Sequence, residues 1–174
     1  MITQDWAFMV LGDPVQQGDM TCYGGNGHRL THSNAKELKP WRDQVRAAAV
    51  RWVKERADIH QPLDVMITWS LERPAGHWGT GRNADKLKPS APHWPATDLD
   101  VDKLERAVLD ALTTTKTAEG VWPNDSQIID AATRKRYARM RGQVSVPLGE
   151  APLDHEDVLP CPGVVVRLYP KAAP

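Results

Sequence analysis

The chain has 174 residues, 41% of them hydrophobic, and no apolar run near the ~20 residues that cross a bilayer, which fits one soluble domain and excludes a helical membrane protein. Its 22 basic and 22 acidic residues cancel, so the overall charge does not announce a nucleic-acid partner. The charge is unevenly spread: residues 150–174 hold four acids and two bases, leaving 20 bases and 18 acids in residues 1–149, a weakly basic body.

Met1 to Trp6 has no basic n-region, so a signal peptide is not expected. Residues 5–11 are apolar enough for a buried strand, ended by Gly12-Asp13-Pro14. Residues 12–34 are polar and glycine-rich and read as a long loop. A helix follows from Lys36 to Ala57, with Trp41, Val45, Ala48, Ala49, Trp52 and Arg56 at helical spacing and Pro40 in its first turn. Asp64 to Glu72 alternates as a half-buried strand.

Residues 73–97 carry Pro74, Pro89, Pro92 and Pro95 with Gly76, Gly79 and Gly81, and cannot form one regular element. Arg73, His77, Arg82, Lys86, Lys88 and His93 interleave there with Trp78 and Trp94. That mixture suits a nucleic-acid contact or, more plainly, a mobile solvated loop. A second helix is predicted over 101–114, with Leu104, Val108, Ala111 and Leu112 on one face, Asp100 as N-cap and Asp102 in the first turn. Thr113 to Gly120 reads as a turn region. Gln127 to Tyr137 reads as a strand running into a basic arm, residues 142–160 as an irregular acidic segment, and Gly163 to Tyr169 as a last strand closed by Pro170. The element order β-α-β-α-β-β gives a single α/β domain of the α+β type, residues 1–174, with a mixed sheet.

Cys22 and Cys161 belong to no CxxC or Cys/His pattern, so two reduced thiols in a cytoplasmic protein are expected rather than zinc ligands. The six histidines share no metal spacing and read as surface or loop residues. The acids are more informative. Asp98, Asp100 and Asp102 alternate where a proline-rich loop enters a helix, and Asp125 precedes a predicted strand. Magnesium takes oxygen ligands, often one or two carboxylates with waters and substrate phosphate, and a phosphodiesterase uses it to activate water. The same aspartates also serve as helix caps and turn formers, and spacing alone leaves both readings open.

The wider pattern resembles the RusA-type Holliday junction resolvases. Asp100-Val101-Asp102-Lys103-Leu104-Glu105-Arg106-Ala107 through Asp110-Ala111-Leu112 is similar to that family's signature helix, and Asn124-Asp125-Ser126-Gln127-Ile128-Ile129 to its later acidic segment. Gly12-Asp13-Pro14 and the loop from Arg73-Pro74 to Ala91-Pro92 also fit, so the resemblance covers roughly residues 5–140. It implies a RusA-like fold and a magnesium-dependent endodeoxyribonuclease, with manganese as an alternative ion. The enzyme would cut four-way DNA junctions by paired nicks, as a homodimer, in recombination and repair, with a phage or prophage origin. The resemblance assigns the metal to Asp100, Asp102 and Asp125, with Asp98 as an auxiliary acid.

Lys103 stands where the family has Asn, Arg106 where it has a catalytically important Lys, and Asn124 where many relatives have Asp. Arg106 keeps the charge and can clamp a phosphate or pair with Asp102 one turn earlier, but an arginine does not give up a proton. Lys103, Arg73, Arg82, Lys86, Lys88, Arg134, Arg136 and Arg139 are the candidate DNA contacts. For the arm 134–141, a solvated, charge-protected edge strand is the plainer alternative to a phosphate-binding surface. A non-catalytic junction-binding protein that kept the fold is the alternative function.

Overall fold

The computed structural model describes residues 6–23, 29–53, 62–97, 99–141, 144–145 and 157–171. Its centre is a four-stranded mixed sheet of β1 (Trp6–Leu11), β8 (Gly163–Pro170), β4 (Leu63–Leu71) and β5 (Ile128–Tyr137), in that spatial order. β8 runs antiparallel to β1 and β4, whereas β4 and β5 are parallel. The parallel pair requires a crossover, which α2 (Val101–Leu112) supplies between them. α1 (Ala35–Val53) packs against β1 and α2, and α2 against β5.

Most expected elements form, within a few residues. β1, α1, α2, β5 and β8 arise where apolar spacing places them. Trp41, Val45 and Ala49 of α1 and Leu104, Val108, Ala111 and Leu112 of α2 are buried at helical spacing. Each large apolar side chain removed from water contributes about 1.5–3 kcal/mol, so these stripes decide how both helices sit. Trp41 meets Trp69 of β4 with ring centroids 6.2 Å apart, and Trp6 meets Trp52 edge-on at 5.3 Å. Four of the seven tryptophans therefore join the sheet to α1. Residues 54–57 of the expected first helix, Arg56 among them, lie outside the described residues.

Several expectations are corrected. The loop 12–34 contains a hairpin of β2 (Met20–Tyr23) and β3 (Arg29–His32), whose short polar strands carry no periodic signal. Pro40 stands inside α1 beyond its first turn, because the helix already begins at Ala35, with Asn34 O accepting from Glu37 N and Leu38 N. β4 is not half-buried: from Ile67 to Leu71 every residue is buried, including Thr68 and Ser70, and Ser70 Oγ accepts from Leu159 N of the segment before β8. Alternation in the sequence reported one covered face, and the segment around Leu159 lies over the other at Ser70. Within the segment 142–160, Val144–Ser145 forms β7, paired with β6 (Met140–Arg141).

Residues 73–97 are an organised loop rather than a mobile one. They hold two 3₁₀ turns, Ala75–His77 and Gly81–Asn83, a Trp78–Leu87 bridge and a buried Trp78. Gly79 is required there, since a Cβ on it would lie 2.4 Å from the Asn83 carbonyl oxygen.

Candidate active site

The loop from Thr97 enters α2 at Leu99 and Asp100. Leu99 has φ of +59°, the only positive value at a non-glycine among the described residues. A branched side chain in that left-handed region is strained, and such strain persists only where the surroundings hold it. Lys135 of β5 does so, donating from Nζ to the Leu99 carbonyl at 2.6 Å. Asp100 occupies the N-cap position, but its side chain makes no capping bond. Its backbone N–H donates instead to Gln16 Oε1 at 2.6 Å, and Gln17 N to Lys103 O at 3.1 Å, tying the start of α2 to the segment after β1. Released from capping, the exposed Asp100 carboxylate lies 3.3 Å from Lys103 Nζ, which also meets Asp19 at 3.0 Å. The hydrogen bond to Asp19, then that to Asp100, raises the Lys103 ammonium above its ordinary pKa, so it stays cationic at neutral pH.

Asp102 is exposed in the first turn of α2, and Arg106 is exposed one turn later. Among the described residues these two form no ion pair. Asp98 lies outside the described residues. Asp125 begins a 3₁₀ turn, Asp125–Gln127, opened by Asn124, whose Oδ1 accepts from Ser126 N at 2.9 Å. It does not adjoin the other two acids. Lys135 touches Leu99, and Thr133 donates to Glu105, so α2 runs antiparallel to β5 with Asp100 at the strand's C-terminal end. Asp125 stands before its N-terminal end, near Trp122, whose Nε1 donates to Thr113 Oγ1 past the far end of α2. The described residues contain no cluster of three metal-ligating side chains.

Two further carboxylates, Asp13 and Glu72, line a pocket with Thr97, Leu99 and Tyr137 beside the start of α2. Sequence reasoning assigned no role to them, nor to Asp19, whose contact with Lys103 joins residues 84 positions apart. Asp110, expected to make a structural contact, does so: Arg42 Nη2 reaches it at 2.5 Å and Gln17 Nε2 at 3.4 Å. Burial lowers the Arg42 pKa, and Asp110 opposes that shift.

The basic residues divide by placement. Arg73 lies 4.0 Å over the Tyr137 ring and donates to Pro92 O at 2.8 Å; burial lowers its pKa while Tyr137 raises it. Lys88 donates to Gly76 O at 2.7 Å. Both tether the loop. Arg82 and Lys86 extend into solvent from it. On β5, Arg134 and Arg136 pair in register with Thr68 and Ser70 on the sheet face away from α2, while Lys135 points towards α2. Arg134 donates to Met66 Sδ at 3.2 Å, and Arg136 lies 4.8 Å over Trp94. Arg139 follows the strand, its backbone N–H held by Leu159 O.

A family model described as Endodeoxyribonuclease RusA matches residues 13–148, a span that takes in every acid and base placed above. No curated protein and no solved structure matches the chain. No helix among the described residues is long and apolar enough to cross a membrane. With most of its length matched, from the pocket residue Asp13 through the acidic start of α2 to the end of β5, the chain belongs to the endodeoxyribonuclease RusA family.

Proposed function

We propose that this protein resolves Holliday junctions by magnesium-dependent hydrolysis of phosphodiesters, with Asp100, Asp102 and Asp125 as metal-binding carboxylates. The observation that carries the reading is the start of α2: two carboxylates two positions apart, both exposed, neither used as a cap, inside the matched span. Such a donor set fits magnesium, or manganese in its place, which takes one or two protein carboxylates and fills its remaining positions with water and phosphate. When bound, the ion lowers the pKa of water and offsets charge on the phosphate.

The chain's own residues supply the rest. The first-turn N–H groups of α2 favour an approaching phosphate oxygen. Lys103 holds Asp100 in place and keeps a fixed positive charge beside it. Arg106, permanently charged, steadies the phosphate without donating a proton. Arg82, Lys86, Arg134, Arg136 and Arg139 provide phosphate contacts along the DNA arms, which add affinity and carry no sequence information. Two symmetric nicks call for two sites related by a two-fold axis, hence a homodimer.

The test is nicking of a synthetic four-way junction with and without magnesium. Paired nicks that require the ion support the reading; binding without cleavage in either magnesium or manganese overturns it. One observation favours the alternative, a junction-binding protein that no longer cuts: Lys103 already pairs with Asp100, where a metal would compete with it. Lys103→Asn separates the two readings, since a gain of cleavage from an inactive parent identifies the lysine as the block.

A further inference from the structure

Packing takes up six of the seven tryptophans: Trp6, Trp41, Trp69, Trp78 and Trp122 are buried, and Trp52 is partly buried against the core. Trp94 is the exception, 45% exposed near the end of the loop 73–97. Its backbone is nonetheless firmly held. Pro92 and the buried Pro95 lie on either side of it, Arg73 donates to Pro92 O at 2.8 Å, and Ala96 N donates to Trp94 O at 2.9 Å. The prolines fix φ and the hydrogen bonds fix the loop, so the indole offers a large rigid ring with little freedom left to lose on binding.

The ring is also backed by charge. The Arg136 guanidinium lies 4.8 Å from its centroid, within cation–π distance, and His93 meets it edge-on at 5.7 Å. Arg136 is the penultimate residue of β5, and its neighbour Lys135 donates to the Leu99 carbonyl directly before Asp100. Tyr137, which ends the strand, lines a cavity of about 140 Å³ with Pro95, Thr97 and Leu99, so the chain from Trp94 to Asp100 runs past that end of β5. Six positions of chain reach no further than about 22 Å, or roughly six base steps of ~3.4 Å along a DNA strand. An aromatic ring flanked by cations at that distance from the acids fits a nucleobase, since every base has a π face and stacking is indifferent to sequence. In continuous duplex both faces of a base are covered by its neighbours. At a branch point stacking is interrupted, and an already unstacked base costs least to capture.

We propose that Trp94, steadied by Arg136, stacks on a base left open at the branch point and so favours branched DNA over continuous duplex in binding. The proposal rests on the junction-nuclease reading given above, and deepens it by naming the contact that tells the branch from the arms. The phosphate contacts of Arg82 and Lys86 cannot do so, because phosphates are common to both.

The test is metal-free binding of a synthetic four-way junction with a fixed branch point, and of a duplex with the same arm sequence, by wild type, Trp94→Ala and Trp94→Phe. Trp94 is exposed, so the fold should survive either change, and matching urea midpoints check that it does. Trp94→Ala should bind the junction roughly tenfold more weakly and the duplex as before, and Trp94→Phe, which keeps a ring, should recover most of the loss. An abasic nucleotide then locates the contact. Placed in turn at each position flanking the branch, it should weaken wild-type binding roughly tenfold at one of them and weaken Trp94→Ala no further there. Equal weakening on junction and duplex would make Trp94 a general DNA contact, and the absence of any abasic position coupled to Trp94 would leave its ring without a base; either result overturns the proposal. Cleavage in magnesium is scored separately. An enzyme that cuts but shows no coupling overturns the platform alone, whereas coupling in a protein that does not cut keeps the platform and overturns the nuclease reading.

Discussion

At the scale of single residues, the proposed chemistry rests on the start of α2. Asp102 is exposed and makes no ion pair among the described residues, so its replacement isolates the carboxylate. Asp102→Asn should lower single-turnover cleavage by on the order of 10³-fold while leaving junction binding in a gel shift unchanged. Near-wild-type cutting would remove Asp102 from the site. Arg106 is exposed one turn on, where only its charge can matter. Arg106→Lys should keep much of the activity, and Arg106→Ala should lose about 100-fold, the usual cost of a missing transition-state cation. Equal rates for all three proteins would mean that Lys103, fixed between Asp19 and Asp100, is the cation that matters. The positions of Asp100 and Asp102 at the start of α2 were legible from the sequence, whereas their metal role came only from the resemblance. Asp19, Asp13 and Glu72 were not legible, because only folding sets them beside α2.

At the scale of elements, the loop 73–97 and the helix pair answer different questions. Arg73 and Lys88 are spent on holding the loop's shape, whereas Arg82 and Lys86 face solvent at its turns. Replacing Arg82 and Lys86 with Ala should weaken DNA binding evenly across sequences and reduce the log–log salt slope by about two. Arg73→Ala should leave the slope nearly unchanged and act through a loosened loop; an unchanged slope in the double variant would return the loop to a solvated role. Between α1 and α2, Asp110 holds Arg42 and Gln17. Asp110→Ala should cost about 1–2 kcal/mol in urea unfolding, since it strands a largely covered guanidinium while its own side is partly exposed.

At the scale of the molecule, the sheet and both helices share one core around Trp69, which is fully buried. Trp69→Ala should remove about 3–5 kcal/mol of stability by denaturant titration and lower cleavage only through the unfolded fraction, because its ring lies in the core, away from the exposed acids. Loss of cleavage in fully folded Trp69→Ala protein would show that the core sets the geometry of the site.

By itself the sequence determined the helices, the main strands and the acidic start of α2. Those follow from local spacing: apolar stripes at 3.6 residues, alternation, and a motif contained within thirteen positions from Asp100 to Leu112. Only the tertiary structure decided what depends on partners distant in sequence. It placed β4 between β5 and β8 and brought Leu159 onto Ser70 on the strand's second face, paired two short polar strands inside 12–34, and divided the basic residues between tethering the loop and facing solvent. It also set Asp125 at the opposite end of β5 from Asp100, since a strand of ten residues laid antiparallel to a helix carries its two ends apart whatever the motif suggests.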